Sequence, residues 1–188
     1  MKTIKVYKDV YAENPREAWD NMGTIVDAHR NYYFDGKSLP YNARDIDDAF
    51  DMYLDEIGLS RDDVIYLPVY LYDHSGITVS TEPFSCPWDS GQLGFIYVSR
   101  KDARDWMAWS RLSDERVSEV EELLRSEIQI LDYYLTGETY GFRISDGYEE
   151  LDAWGGYYGP IETNGMLDDI PEDLRKQALN SKIVCYEN

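Results

Sequence analysis

The residues with the clearest potential for chemistry lie in two turns of one segment, Val64–Arg100. Asp73 and His74 occupy the first turn, and Cys86 and Asp89 occupy the second. His, Cys and Asp side chains can ligate zinc, and a cysteine beside a histidine can act as a nucleophile with its general base. The sequence therefore permits a metal-dependent or thiol enzyme centred on these four residues.

The sequence around these turns lacks the motifs that accompany known enzyme sites. It contains no CxxC pair, no HExxH, no GxSxG and no Gly-rich phosphate loop. Pro87 directly follows Cys86 and has no N–H to offer an oxyanion hole. A structural role is the alternative, in which Asp73 and Asp89 shape the turns and His74 and Cys86 are partly buried. We therefore predict no catalytic residues, no metal and no cofactor, and keep the enzyme as the alternative hypothesis.

Two strongly β-forming runs must position these turns. Val64–Tyr72 and Leu93–Ser99 are rich in Val, Ile, Tyr and Phe, which favours two central strands. Ile77–Thr81 between them predicts a third, shorter strand. Further strands are predicted at Thr3–Lys8, Thr24–Ala28, Thr139–Ser145, Tyr148–Trp154 and Lys182–Tyr186.

Apolar residues at three- and four-residue spacing predict amphipathic helices between the strands. The predicted helices are Arg16–Asn21 after an Asn14 cap, Asp45–Gly58, Asp102–Trp109, Ser113–Thr136 and a segment from Asp168 to about Leu179. Strands and helices in this order favour an α+β fold, with a mostly antiparallel sheet and several amphipathic helices packed on it. The 188-residue length fits a single compact domain, 1–188.

The net charge of −19, from 37 acidic and 18 basic residues, restricts the classes of partner. Direct binding to nucleic acid requires Lys and Arg at the phosphates, so this charge argues against it. The charge permits the reverse, in which the chain occupies the basic groove of a protein that handles nucleic acid. The alternative is that the acidity serves only solubility.

Two segments hold carboxylates on the predicted outer faces of helices, Asp45–Asp63 and Ser113–Asp132. The first contains eight acids and one base. Carboxylates spaced along a helix can imitate phosphates to a groove lined by Arg and Lys. The predicted partner-binding residues are Asp45, Asp47, Asp48, Asp51, Asp55, Glu56, Asp62, Asp63, Glu115, Glu119, Glu121, Glu122 and Glu127.

The sequence also indicates where the protein acts. No run approaches the roughly 20 apolar residues that span a bilayer, and the N-terminus lacks a signal-peptide core. Cys86 and Cys185 are too few for a disulfide framework, which suits a reducing compartment. These features predict a cytoplasmic protein without a membrane partner.

Three stretches resemble a family of small acidic proteins of bacteriophages and other mobile elements, most of them uncharacterised. They are NPREAWDNMGTIVDAHRNYYFDG (Asn14–Gly36), LPVYLYDHSGITVSTEPFSCPWDSGQLGFIYVS (Leu67–Ser99) and YYLTGETYGFRI (Tyr133–Ile144). The resemblance implies no catalytic residues. Its context implies an anti-defence role, because small acidic phage proteins include anti-restriction and anti-CRISPR inhibitors that imitate DNA.

These observations together give our leading hypothesis. The chain is expected to be a phage or mobile-element inhibitor in the host bacterial cytoplasm, bound to a CRISPR effector or restriction enzyme through its acidic helices. The alternatives are the enzyme centred on Asp73, His74, Cys86 and Asp89, and an accessory protein that is acidic only for solubility.

Overall fold

A computed structural model describes residues 2–29 and 34–185. The strands are β1 Thr3–Lys8, β2 Thr24–Asp27, β3 Lys37–Ser38, β4 Val64–Asp73, β5 Ile77–Ser80, β6 Ser90–Ser99, β7 Thr139–Ser145, β8 Glu150–Tyr158 and β9 Val184–Cys185. The helices are α1 Pro15–Ala18, α2 Ile46–Glu56, α3 Arg100–Trp106, α4 Asp114–Leu135, α5 Met166–Asp169 and α6 Glu172–Leu179, with a 3₁₀ turn at Arg61–Asp63. No helix in the described ranges is long and apolar enough to cross a membrane.

The chain divides into two compact units, each with its own sheet. The four-stranded unit comprises Met1–Pro15 and Tyr133–Asn188, and the five-stranded unit comprises Arg16–Asp132. Both sheets are mostly antiparallel and carry helices, which confirms the predicted α+β class. The prediction of one compact domain stays a prediction.

The five-stranded sheet has the order β3-β2-β6-β4-β5, and the two predicted central strands pair at its middle. β4 and β6 run antiparallel from Val64↔Ser99 to Tyr72↔Ser90, with a register shift between Val69 and Tyr70. β2 pairs antiparallel with β6, and β5 pairs antiparallel with β4, whereas β3 is parallel to β2. The turns that precede and follow β5 therefore lie at one end of this sheet.

Helices α2 and α4 lie on opposite faces of the five-stranded sheet. Phe50 of α2 stacks on Phe95 of β6, with ring centroids 4.2 Å apart. Phe95 and Ile96 are neighbours in the strand, so their side chains point to opposite faces. Leu124 of α4 lies beside Ile96, since both side chains crowd the position that a Cβ on Gly23 would take. The two acidic helices are consequently separated by the thickness of the sheet.

The four-stranded sheet has the order β8-β7-β1-β9 and contains the predicted hairpin. β7 and β8 pair antiparallel from Thr139↔Tyr158 to Ser145↔Glu150, and β8 extends four residues beyond the predicted Trp154. One face is covered by α5 and α6. The core on that face consists of Ile4, Val6, Phe142, Ile144, Met166, Ile170, Leu174 and Ala178.

Two sequence predictions need adjustment in this unit. The predicted helix from Asp168 to Leu179 is two helices, because Pro171 disfavours helical backbone at the residue before it and Ile170 is extended (φ −87°, ψ 131°). The predicted strand Lys182–Tyr186 is present only as Val184–Cys185, paired parallel to β1. Tyr186 lies outside the described residues.

Gly94 of β6 must be a glycine, because the backbone of β2 passes too close to it for a side chain. Gly94 faces Asp27 across the pair, and a Cβ on Gly94 would overlap the carbonyl oxygen of Val26. We expect Gly94→Ala to lower the free energy of unfolding by about 3 kcal/mol, because the two strands must move apart. Gly91→Ala in the same strand is the control, since its Cβ would enter open space. Urea unfolding of the two variants checks this, and equal losses would contradict it.

Candidate functional site

The structure brings together three of the four residues with potential for chemistry. His74 Nδ1 lies 3.4 Å from Asp89 Oδ2, and Cys86 Sγ lies 3.7 Å from the same oxygen. The Asp73 backbone N–H donates to the Asp89 carbonyl oxygen at 2.9 Å, which joins the two turns. The side chains of His74, Cys86 and Asp89 therefore form one cluster at the end of the five-stranded sheet, and Asp73 adjoins it through its backbone.

The order of the groups in this cluster does not match a thiol active site. A nucleophilic cysteine needs a base hydrogen-bonded to its sulfur, with a third group orienting that base. Here the Asp89 carboxylate stands between Cys86 and His74, so the thiol faces an acceptor and not the imidazole. The Cys86 carbonyl also accepts a short hydrogen bond from the Ser90 hydroxyl, which closes the second turn. This geometry supports a structural role for Asp89 in the turns. Cys86 is partly buried as predicted, but the prediction that His74 is partly buried is wrong, because its side chain is 64% exposed.

A cavity of about 370 Å³ adjoins the cluster. Its lining includes His29, Asp73, Asp89 and Ser90, together with apolar side chains from Leu71 and Leu93. Within residues 2–29 and 34–185, no group of three or more His, Cys, Asp or Glu side chains is arranged to hold a metal ion. The cavity is a polar recess at the strand ends, and its described residues do not form a metal centre.

Sequence reasoning missed a buried carboxylate next to this cavity. Asp27 at the end of β2 is fully buried, and neither of its oxygens meets a hydrogen-bond donor in good geometry within the described residues. Burial raises the pKa of Asp27 to about 6, and the charge of Asp35 acts in the same direction. The nearby amides of His29 and Phe34 oppose the shift. The signal in the sequence was an Asp that directly continues the apolar pair in TIVD.

A second missed feature is a buried ion-pair network around Arg16. Its side chain is 2% exposed, and its guanidinium meets Asp35 through two bonds, Nε–Oδ1 at 2.9 Å and Nη2–Oδ2 at 2.6 Å. Nη1 donates to Glu127 at 2.7 Å, and Nη2 donates to the Gly23 carbonyl at 2.7 Å. Glu127 also accepts from the Met22 amide at 2.8 Å.

This network changes the role of one predicted partner-binding residue. The Glu127 side chain is only 16% exposed and joins α4 to the chain that enters β2. A carboxylate held in this way is part of the fold. Glu127 is therefore less accessible to a partner than the exposed acids of α2 and α4.

Most of the acids on α2 are also engaged within the protein. Asp45 caps the helix by accepting from the Asp48 amide at 2.8 Å, and Asp48 pairs with Arg44 at 2.6 Å. The hydrogen bonds from Arg44 lower the pKa of Asp48 to about 2. The other bonded acids are Asp47 and Asp51, which both pair with Arg61, and Asp63, which accepts from the amide and hydroxyl of Ser60.

Three exposed acids of this region form no ion pair with a described basic group. Asp55 and Glu56 lie in the last turn of α2, and Asp62 lies in the 3₁₀ turn. None of them lies within 4.0 Å of a basic group in the described part of the chain. Carboxylates at a helix C-terminus oppose the helix dipole, so Asp55 and Glu56 do not stabilise α2.

The outer face of α4 carries a longer stripe of carboxylates, Glu115, Glu119 and Glu122. These positions lie opposite the buried residues of the helix and are all exposed. Among described groups, Glu115 and Glu119 have no basic partner within 4.0 Å, while Glu122 pairs with Arg125 at 2.6 Å. We call these three residues the α4 stripe. Glu121 lies outside it and is half-buried.

The nearest base at the start of α4 is turned away from the stripe. Arg116 lies over the ring of Trp109, with its guanidinium carbon 4.8 Å from the ring centroid. Its Nη1 also donates to the Arg111 carbonyl oxygen at 2.9 Å. Arg116 is thus committed to an aromatic ring and a backbone carbonyl, which leaves the negative charge of the stripe uncompensated at this end.

Comparisons of the chain with family models, with curated proteins and with solved structures found no match. The resemblance to phage and mobile-element proteins stays a prediction. The function is therefore argued from the residues and their geometry.

Proposed function

We propose that this chain is a non-enzymatic anti-defence inhibitor of a phage or mobile element. It binds a host nucleic-acid-handling protein, a CRISPR effector or a restriction enzyme, in the bacterial cytoplasm. The observation that carries the proposal is the α4 stripe, a line of exposed carboxylates whose neighbouring base, Arg116, is directed elsewhere. The cluster at Asp89 does not favour a second, enzymatic function, because its groups stand in the wrong order.

The spacing of the α4 stripe supports imitation of a nucleic-acid strand. At about 1.5 Å rise per residue, Glu115 and Glu119 are about 6 Å apart along the helix axis, and Glu122 follows about 4.5 Å further on. The stripe therefore presents about one charge per 5 Å, against one per about 3.4 Å for a single strand of duplex DNA. A groove lined by Lys and Arg can accept either pattern.

The acids of α2 form a separate and weaker surface. They lie on the opposite face of the sheet, and three of them are bonded to Arg44 or Arg61, while Asp63 of the neighbouring 3₁₀ turn is bonded to Ser60. A partner that bound them would have to break these bonds. We therefore place the contact on the α4 stripe, with Asp55, Glu56 and Asp62 outside it.

A pull-down against purified restriction endonucleases and CRISPR effector nucleases tests the proposal. Capture of a nuclease is expected at low ionic strength and should weaken steadily as salt rises, because at 0.1 M salt the attraction between exposed charges more than about 10 Å apart is largely screened. Capture that is insensitive to salt would contradict the electrostatic mechanism. Failure to capture any nuclease of either class would contradict the choice of partner.

Charge reversal distinguishes the two acidic surfaces. The triple variant Glu115→Lys, Glu119→Lys, Glu122→Lys should weaken binding to the captured nuclease by about 100-fold or more. The reason is that the new lysines would face the Lys and Arg side chains of the nuclease groove. The matched variant Asp55→Lys, Glu56→Lys, Asp62→Lys makes the same change in net charge and should keep affinity within about fivefold. Surface plasmon resonance measures both. Equal losses in the two variants would show that net charge matters and the α4 stripe does not.

A further inference from the structure

The four-stranded sheet carries basic side chains on the face that its helices leave uncovered. Ile4 and Val6 of β1 point into the core beneath α6, so the alternating residue Lys5 points to the other face. Lys5 pairs directly with Arg143 of β7, which places both side chains on that same face. Like charges at directly paired positions of neighbouring strands destabilise a sheet. The pairing therefore needs compensation from a negative group.

These two cations and Lys182 line a single groove of about 600 Å³. Tyr7, Ile183, Val184 and Cys185 complete its lining. Val184 pairs with Tyr7 across β1 and β9, so the segment that carries Lys182 forms one wall of the groove. All of these residues belong to the four-stranded unit.

Arg143 of this groove is paired, whereas the two lysines lack a carboxylate partner among the described residues. Arg143 Nε lies 3.3 Å from Glu150 Oε2, and its guanidinium lies over the Tyr7 ring at 5.7 Å. Within residues 2–29 and 34–185, neither Lys5 nor Lys182 lies within 4.0 Å of a carboxylate. The groove is therefore locally basic, in a chain with twice as many acids as bases.

We propose that this groove binds a small phosphorylated ligand. The planar fork of Arg143 and the point charges of two lysines are the groups that hold phosphate oxygens in proteins. The volume lies in the range of small-molecule sites, about 300–1,000 Å³. A net charge of −19 repels a long polyanion at a distance, which favours a ligand with few charges over nucleic acid. This proposal is independent of the α4 stripe.

Calorimetric titration with inorganic pyrophosphate tests the groove. The unmodified protein should give saturable binding, and Lys5→Gln and Lys182→Gln should each weaken it by about tenfold, since each removes a charged hydrogen-bond donor. Lys176→Gln is the matched control. It makes the same charge change on α6, against the opposite face of the sheet, and should alter affinity by less than about twofold.

Further arms of the titration separate the possible ligands. Absence of saturable heat with pyrophosphate up to about 10 mM would overturn the proposal, as would equal weakening by Lys176→Gln. Tighter binding of citrate would assign the groove to carboxylates, and tighter binding of a single-stranded oligonucleotide would assign it to nucleic acid. Either result would contradict a small phosphorylated ligand. Circular dichroism of each variant confirms that the fold is retained.

Discussion

Replacing Arg16 by methionine will lower the free energy of unfolding by about 3–5 kcal/mol. The side chain of Arg16 is almost completely buried, and its guanidinium is bonded to two carboxylates, Asp35 and Glu127. Methionine fills a similar volume but leaves both acids without their cation in a largely dry environment. The stability is lost because the carboxylates of Asp35 and Glu127 remain removed from water. Without the guanidinium, its hydrogen bonds no longer offset the cost of that desolvation.

The effect is also large because the network joins segments that are far apart in the sequence. Asp35 holds the Ile25 amide through Oδ2 at 2.6 Å, and Glu127 holds the Met22 amide at 2.8 Å. Arg16 thus connects α1, the start of β2 and the middle of α4. Loss of the guanidinium loosens three elements of the five-stranded unit together.

Urea unfolding monitored by tryptophan fluorescence measures the change. Arg44→Met is the control, because Arg44 forms a comparable 2.6 Å ion pair with Asp48 while its own side chain is 85% exposed. Such a pair contributes about 0–1 kcal/mol. The triple variant Arg16→Met, Asp35→Asn, Glu127→Gln should recover part of the loss, because the uncompensated charges are gone. Equal stability of Arg16→Met and Arg44→Met would contradict the structural role of the network.

Replacing Asp27 by asparagine will stabilise the protein at about pH 8 by as much as about 3 kcal/mol, with little effect near pH 4. Burial raises the pKa of Asp27 from 3.8 to about 6 in the folded protein. Between pH 3.8 and about pH 6, Asp27 is mostly protonated in the folded protein and mostly ionised in the unfolded protein. The contribution of Asp27 to stability therefore falls as pH rises from about 4 to about 6, and stays low above that.

The asparagine variant isolates this contribution because it cannot ionise. The difference in unfolding free energy between Asp27→Asn and the unmodified protein should grow across this window and then become constant. Asp55→Asn is the control, since Asp55 is exposed and its replacement should change the unfolding free energy only slightly. Urea unfolding at about pH 4, 5, 6 and 8 provides the data. A difference that does not vary with pH would contradict the raised pKa of Asp27.

The sequence predicted much of the fold because periodicity reports local structure. Runs rich in β-branched and aromatic residues located β4 and β6, and apolar spacing located α2 and α4. Periodicity does not report which face of a sheet a helix covers. The sequence therefore left open whether the two acidic helices share one surface, and the structure separates them by a sheet.

The buried polar groups were less predictable, because their surroundings come from residues far apart in sequence. Arg16 looked like an ordinary charged residue of a short helix, although its partners lie 19 and 111 positions away. Asp27 ends an apolar run, and burial of its carboxylate depends on the neighbouring strands. The sequence left open whether the turns at Asp73 and Asp89 meet. Their adjacency, and the position of the Asp89 carboxylate between Cys86 and His74, depend on the strand pairing of the folded sheet.

The central claim is that the α4 stripe occupies the nucleic-acid groove of a defence nuclease. Competition measures this most directly: labelled duplex DNA is bound to the captured nuclease, and fluorescence anisotropy follows its release as the protein is added. Our account predicts full displacement by the unmodified protein and by the Asp55, Glu56, Asp62 variant, and none by the Glu115, Glu119, Glu122 variant. A ternary complex, in which the DNA stays bound while the protein also binds, would contradict the claim.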